Sequence, residues 1–142
     1  GGDLENYWAS GSGRTAKAGA RGAFFHAVTS YSLPDAVRNA IYISELPDFD
    51  GDRLNMLMRQ RAQEHWKGGN FYRILNLMLF RASEPGQRYK ILERFYRLKP
   101  GLIERFYAGQ TTGGDKARIL SGKPPVPIGK ALQAIRARKK KR

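Results

Sequence analysis

Paired helix breakers do more than any other feature to limit what this chain can fold into. Pro47 with Asp48, Asp50 and Asp52, then Gly68-Gly69, Pro85-Gly86 and Pro100-Gly101, divide the sequence into short lengths. Between them the apolar spacing is helical. Residues 33–46 place Leu33, Val37, Ala40, Ile41 and Ser44 on one face, and residues 52–66 do the same with Leu54, Leu57, Met58, Ala62 and Trp66. Asn70 is placed to cap the next helix. That helix, through Phe80, is apolar on most sides and reads as buried. It is too short to cross a bilayer, which takes about 20 apolar residues.

Further helices open after Pro85-Gly86 and Pro100-Gly101. Glu93-Arg94-Phe95-Tyr96 is echoed by Glu104-Arg105-Phe106-Tyr107, which predicts two helices turning a corner. Shorter helices are predicted at 115–120 and, beyond the stiff Lys123-Pro124-Pro125-Val126-Pro127, at 129–138. The glycine-rich residues 9–23 read as a loop, and Phe24-Phe25 as the end of a buried strand. The fold class is therefore mainly α, with at most one or two short strands near residues 20–28.

A chain of 142 residues can form one domain. It has no cysteine, which excludes disulfides and thiolate chemistry, and only His26 and His65, so no metal site is expected. It begins Gly1-Gly2-Asp3 without a visible signal peptide, as a processed chain or a piece of a longer one would. The net charge is +14, of which six positive charges lie in the tail 136–142. Such a charge attracts polyanions, either nucleic acid or anionic lipid.

The segment Phe24-Phe25-His26-Ala27-Val28-Thr29-Ser30-Tyr31-Ser32-Leu33-Pro34-Asp35 concentrates the chemistry. Ser32 and Asp35 have the spacing of a helix N-terminus, with Pro34 just inside. Free N–H groups there favour a negative charge. The plainer reading is a structural cap with an incidental histidine, and the residues alone leave both open. Elsewhere the plain readings prevail. Glu93 and Glu104 each precede an arginine and read as ion pairs or caps, and His65 reads as packed. Gly11-Ser12-Gly13-Arg14 and Thr112-Gly113-Gly114-Asp115-Lys116 lack the spacing of a phosphate loop. The Phe-Tyr pairs at 71–72, 95–96 and 106–107 read as core.

Taken in order, several segments resemble the C-terminal part of bacterial flavin-dependent lycopene β-cyclases. The family's Phe-His-Pro-Thr-Thr-Gly-Tyr-Ser-Leu-Pro is met by Phe25-His26-Ala27-Val28-Thr29-Ser30-Tyr31-Ser32-Leu33-Pro34. The likeness continues at Phe71–Phe80, Leu92–Leu98, Leu102–Gly109 and Ile119–Ile128, and also touches Gly2-Asp3-Leu4 and Tyr7-Trp8. It implies the helical C-terminal portion of an FAD-dependent α/β, Rossmann-like flavoprotein. Residues 1–47 would close the FAD-binding domain, 48–135 would form the substrate region, and 136–142 a basic tail.

The implied activity is an intramolecular lyase or isomerase reaction. Acid-initiated, redox-neutral cyclisation turns the ends of lycopene into β-ionone rings, assisted by reduced FAD with NAD(P)H as reductant. The resemblance assigns the cofactor to His26, Thr29, Ser30, Tyr31 and Ser32, and the substrate lining to Phe71, Leu75, Met78 and Phe80. It places the catalytic carboxylates and the missing FAD-binding portion upstream. It further implies a cytoplasmic enzyme, peripheral at the inner face of the cell membrane on anionic lipid, with no specific nucleic acid partner. The alternative is a small basic helical module that binds nucleic acid or anionic membrane. Departures from the family are Ala27, Val28 and Ser30 in the turn, the pair Gly113-Gly114, and the tail. If the family's glycine at position 30 serves a positive φ, serine there costs conformational energy.

Overall fold

A computed structural model describes residues 4–9 and 15–121. The residues predicted as a helix at 129–138, the stretch 123–127 and the tail 136–142 lie outside them, as do residues 1–3 and part of the 9–23 loop. The described residues are mainly α and contain no strand. In order they form α1 (Leu4–Ala9), α2 (Leu33–Ser44), α3 (Gly51–Gly68), α4 (Asn70–Leu77), α5 (Arg88–Tyr96), α6 (Pro100–Tyr107) and α7 (Gly113–Leu120). Short 3-10 turns stand at Gly19–Gly22 and Pro85–Gln87, and a π-helical turn at Met78–Ala82 follows α4 directly. The chain divides into two compact units, residues 1–70 and 71–142.

In the first unit Leu4, Trp8, Ala23, Phe24, Met58 and Ala62 form the buried core. The helical spacing of α3 accounts for Met58 and Ala62, which point the same way one turn apart. The Asp50 carboxylate caps α3 by accepting from the Arg53 N–H at 2.8 Å, as the acidic cluster before it predicts. Glu5 of α1 pairs with Arg59 and accepts from Gln63 Nε2 at 2.7 Å on α3. Lys17 donates to the carbonyls of Tyr7 and Trp8 at 3.1 and 2.9 Å, closing the C-terminus of α1 where the helix dipole is negative.

Phe24-Phe25 is not a strand end. A ladder needs a neighbour, and none exists among the described residues. Phe24 is instead driven into the core, 2 % exposed, by the turn at Gly19–Gly22. A Cβ at Gly22 would stand 2.6 Å from the Phe24 ring and 2.7 Å from the Lys17 carbonyl oxygen, so the turn closes only around glycine.

The second unit is built on aromatic rings. Tyr72 of α4 and Phe106 of α6 are buried with edge-to-face rings 5.5 Å apart, and Phe95 of α5 lies 4.7 Å from Phe106. The buried Tyr72 hydroxyl donates to Thr111 Oγ1 at 2.6 Å and accepts from the Thr111 N–H at 3.1 Å. The sequence echo is a spatial one as well. Phe95 meets Phe106, and the hydroxyls of Tyr96 and Tyr107 are 2.6 Å apart. Pro100-Gly101 starts α6 at the corner, as predicted.

Gly109 (φ +71°) ends α6. The Gln110 N–H returns to the Arg105 carbonyl at 2.8 Å, and that of Gly109 to Phe106 at 3.1 Å. This left-handed closure needs a residue without a Cβ penalty. Two local expectations change: Asn70 is the first residue of α4 rather than its cap, and the helix predicted at 115–120 begins at Gly113, so Gly113-Gly114 forms its first residues. α7 is held by a reciprocal capping box between Thr112 and Asp115.

Candidate functional site

The segment 26–32 folds as a tight turn built on His26. The His26 N–H donates to the Tyr31 carbonyl at 2.9 Å, and the Ser30 N–H to the His26 carbonyl at 2.8 Å. The imidazole is buried, and its Nδ1 accepts from the N–H groups of Val28 and Thr29, each at 3.3 Å. Two donors on Nδ1 put the ring proton on Nε2. Thr29 Oγ1 adds a bond from the Tyr31 N–H at 3.2 Å. The histidine thus shapes the turn from within, while Ser30 and Tyr31 are exposed and Thr29 and Ser32 half-exposed.

Ser30 has φ +59°, the left-handed region. This is the position at which the resembling family has glycine, so the expected conformational cost is present here. An L-residue with a Cβ pays roughly 1 kcal/mol for it.

Behind the turn α2 begins at Leu33 with Pro34 in its first turn, as the spacing predicts. The cap itself differs from expectation. Ser32 makes no side-chain cap bond; Pro34 has no N–H and the Ala36 N–H donates to the Ser32 carbonyl at 2.8 Å, so Leu33 and Asp35 supply the N–H groups at the start of α2. Asp35 is not a capping acid either. It is buried, accepts from Arg38 at 2.9 Å, and has Oδ1 3.6 Å from His65 Nδ1. His65 reaches the Phe25 carbonyl through Nε2 at 3.3 Å and packs on the Phe24 ring at 5.7 Å. Asn39, one turn beyond Asp35, is buried and accepts from Arg61 Nε at 2.7 Å; the Arg61 guanidinium covers the Tyr42 ring at 4.4 Å.

Sequence reasoning missed this polar support. The available signal was the i, i+4, i+7, i+8 series Asp35, Asn39, Tyr42, Ile43, a second face of α2. The apolar face predicted from Leu33, Val37 and Ile41 points to solvent instead, at 57 %, 50 % and 53 % exposure.

The second unit carries the other candidates. Phe71, Leu75 and Met78 are half-buried along α4 and into the π-helical turn, with the Lys116 ammonium 5.4 Å from the Phe71 ring. The next candidate, Phe80, is 52 % exposed under the Arg88 guanidinium. Five π-helical residues in one turn are unusual, and such turns concentrate at functional sites. Asp115 takes a bidentate ion pair from Arg105, both bonds 2.7 Å, and the Thr112 N–H at 3.0 Å. The guanidinium chiefly, and the Thr112 groups after it, hold its carboxyl well below the usual range. Glu93 pairs with Arg97, the structural role its spacing suggests. Among the described residues no acidic or histidine cluster can hold a metal, and no helix is long and apolar enough to cross a membrane.

The comparisons with known proteins agree along the chain. Residues 1–133 match the family described as Lycopene cyclase protein. A lycopene beta-cyclase of Pseudescherichia vulneris is 45 % identical over 94 % of this chain, which covers 34 % of that relative. One from a Paracoccus species is 42 % identical over 94 % of the chain and 35 % of the relative. One from Pantoea ananas is 47 % identical over 82 % of the chain and 31 % of the relative. No solved structure matches. The chain thus spans about a third of the length of these relatives. With a match running through both structural units, the chain belongs to the lycopene cyclase family.

Proposed function

We propose that this chain is the part of a lycopene β-cyclase that braces the cofactor turn and supplies the helical wall of the substrate region. The observation that carries the reading is 42–47 % identity to three named lycopene beta-cyclases over most of the chain. The activity proposed for the whole protein is an intramolecular lyase or isomerase reaction: a proton adds to a terminal double bond of lycopene, the ring closes, and a proton leaves. The catalytic carboxylates belong to the remaining two-thirds of the protein, as does the Rossmann-like FAD domain.

The turn fits the cofactor. Its outward residues stand against an α2 N-terminus without a side-chain cap, which favours an anionic group. Thr29, Ser30, Tyr31 and Ser32 would hold the flavin edge, with His26 fixing the turn they sit on. Reduced FAD, kept reduced by NAD(P)H, would supply negative charge that stabilises a cationic transition state. This chain's part is to aim N–H donors at that charge and to hold the turn rigid while it does so.

The exposed stripe Leu33, Val37 and Ile41 is where the rest of the protein would cover α2. Phe71, Leu75, Met78 and Phe80 would offer apolar wall to the polyene, with anionic lipid beneath a peripheral enzyme at the inner face of the cell membrane. A family match running through both units favours this over a stand-alone basic module.

The test is expression of the complete protein in lycopene-accumulating bacteria. Cyclised carotenoid is the expected product, and its absence with the flavin reduced overturns the reading. Ser30→Gly should raise flavin retained through purification; unchanged retention would mean that the turn does not touch the flavin.

A further inference from the structure

The whole net charge of the protein lies in the second unit. Residues 1–70 hold eight Lys and Arg against eight Asp and Glu, while residues 71–142 hold eighteen against four. That unit also exposes apolar side chains in a particular arrangement. On α5, Tyr89, Leu92 and Tyr96 share one face at i, i+3 and i+7, and are 59 %, 46 % and 57 % exposed. The inner side of the helix carries Phe95, which packs on Phe106. Phe80 joins the exposed set because Arg88, the first residue of α5, donates to its carbonyl at 2.8 Å and lies over its ring. Lys90 holds its ammonium 5.9 Å from the Tyr89 ring, Glu93 on the same face is paired with Arg97, and Arg81 and Lys99 are exposed in the segments that flank α5.

We propose that this face of α5, with Phe80, is where the protein seats on an anionic bilayer: Leu92 enters the acyl boundary and the tyrosines lie at head-group level. The inference rests on the membrane part of the proposed function and names the surface that carries it. Its physical basis is a stripe too short and too polar-flanked to span, yet apolar at its centre and cationic at its rim. Tyrosine suits the interface because its ring is apolar and its hydroxyl wet. Tyr96 is held in position by its bond to the Tyr107 hydroxyl. A nucleic acid surface would use the cations and the tyrosine rings as well. It would have no use for leucine at the centre, which neither stacks on a base nor hydrogen-bonds to one.

The test uses the 142-residue chain and vesicles of phosphatidylcholine, with and without phosphatidylglycerol. Binding is expected only to the anionic vesicles and should weaken with salt. Leu92→Ser should weaken it about tenfold with the helical circular dichroism unchanged. In Leu92→Trp, emission beyond that of Trp8 and Trp66 should be quenched by lipids brominated on the acyl chain. If the chain binds and residue 92 stays unquenched, this surface is wrong while membrane attachment stands. Failure to bind any vesicle overturns the membrane reading altogether. Tighter binding to duplex DNA or RNA, kept in Leu92→Ser and lost when Lys90 and Arg97 are both replaced by Gln, would make the face a nucleic acid surface and overturn the proposal.

Discussion

The two units of this chain solve the same problem, a small helical core, with different charge balance and different packing. Residues 1–70 balance their charges and bury three polar groups: His26 shapes a turn, while Asp35 meets Arg38 and His65 and Asn39 meets Arg61. Residues 71–142 carry the net charge of +14 and close their interior with rings: Tyr72, Phe95 and Phe106. The first unit is organised around a conformation, the second around an exposed basic and aromatic face. A turn that must hold a fixed geometry needs directional bonds, which lock each N–H in place. A surface that meets a broad polyanion needs only charge and apolar area, which are not directional.

The sharpest way to break this comparison is to damage each core separately. Phe24→Ala should cost about 3–5 kcal/mol in the first unit, and Phe106→Ala the same in the second. Both tryptophans, Trp8 and Trp66, lie in the first unit. In urea, tryptophan fluorescence should therefore shift strongly with Phe24→Ala and little with Phe106→Ala, while far-ultraviolet circular dichroism follows both. Equal fluorescence shifts would show that the units unfold as one.

Next in size is His26→Ala, which removes the acceptor for two backbone N–H groups and should destabilise the first unit by about 2 kcal/mol. Ser30→Gly should stabilise the same unit by about 1 kcal/mol, because glycine adopts φ +59° without penalty. A loss of stability there would mean that Ser30 makes a contact worth more than its strain.

Acid separates the units more finely. The folded-state pKa of Asp115 is depressed by Arg105, so its contribution is present above the usual carboxylate range and is lost as pH falls through the depressed value. The helical signal of the second unit should weaken in that window, and Asp115→Asn should remove that share of the pH dependence. Smallest of all, Ile41→Ser should change the stability of the chain by less than about 0.5 kcal/mol, because the side chain is exposed. In the complete protein the same change should matter more if the rest of the protein covers α2, as comparison of the two melting curves would show.

Much of this was legible beforehand. The breakers at Pro47, Gly68-Gly69, Pro85-Gly86 and Pro100-Gly101 sit close to helix ends because they act locally, through φ and the missing N–H or Cβ. Asp50 capped as expected for the same reason. The strand predicted at Phe24-Phe25 does not form: a pair of aromatics has the same β propensity whether or not a neighbouring strand exists. Ser32 and Asp35 had capping spacing, yet Arg38 and His65 took the carboxylate; the equivalent spacing at Thr112 and Asp115 became the true box. Propensity ranks neither the i,i+3 pairing with Arg38 of the same helix nor a partner such as His65 brought from α3.

For the site, the sequence by itself determined that His26 to Ser32 form a turn ahead of a helix, that a residue other than glycine stands where the family has one, and which family the order of segments resembles. Those are properties of neighbouring residues and of alignment. Only the tertiary structure decided that His26 lies inside the turn rather than on its surface, that Ser30 takes the left-handed conformation, and that the apolar stripe of α2 is exposed while Asp35 and Asn39 are buried. Periodicity shows that a helix has two faces. Which of them turns inward depends on the groups that other segments bring to it, and here Arg61 and His65 from α3 made the polar face the inner one.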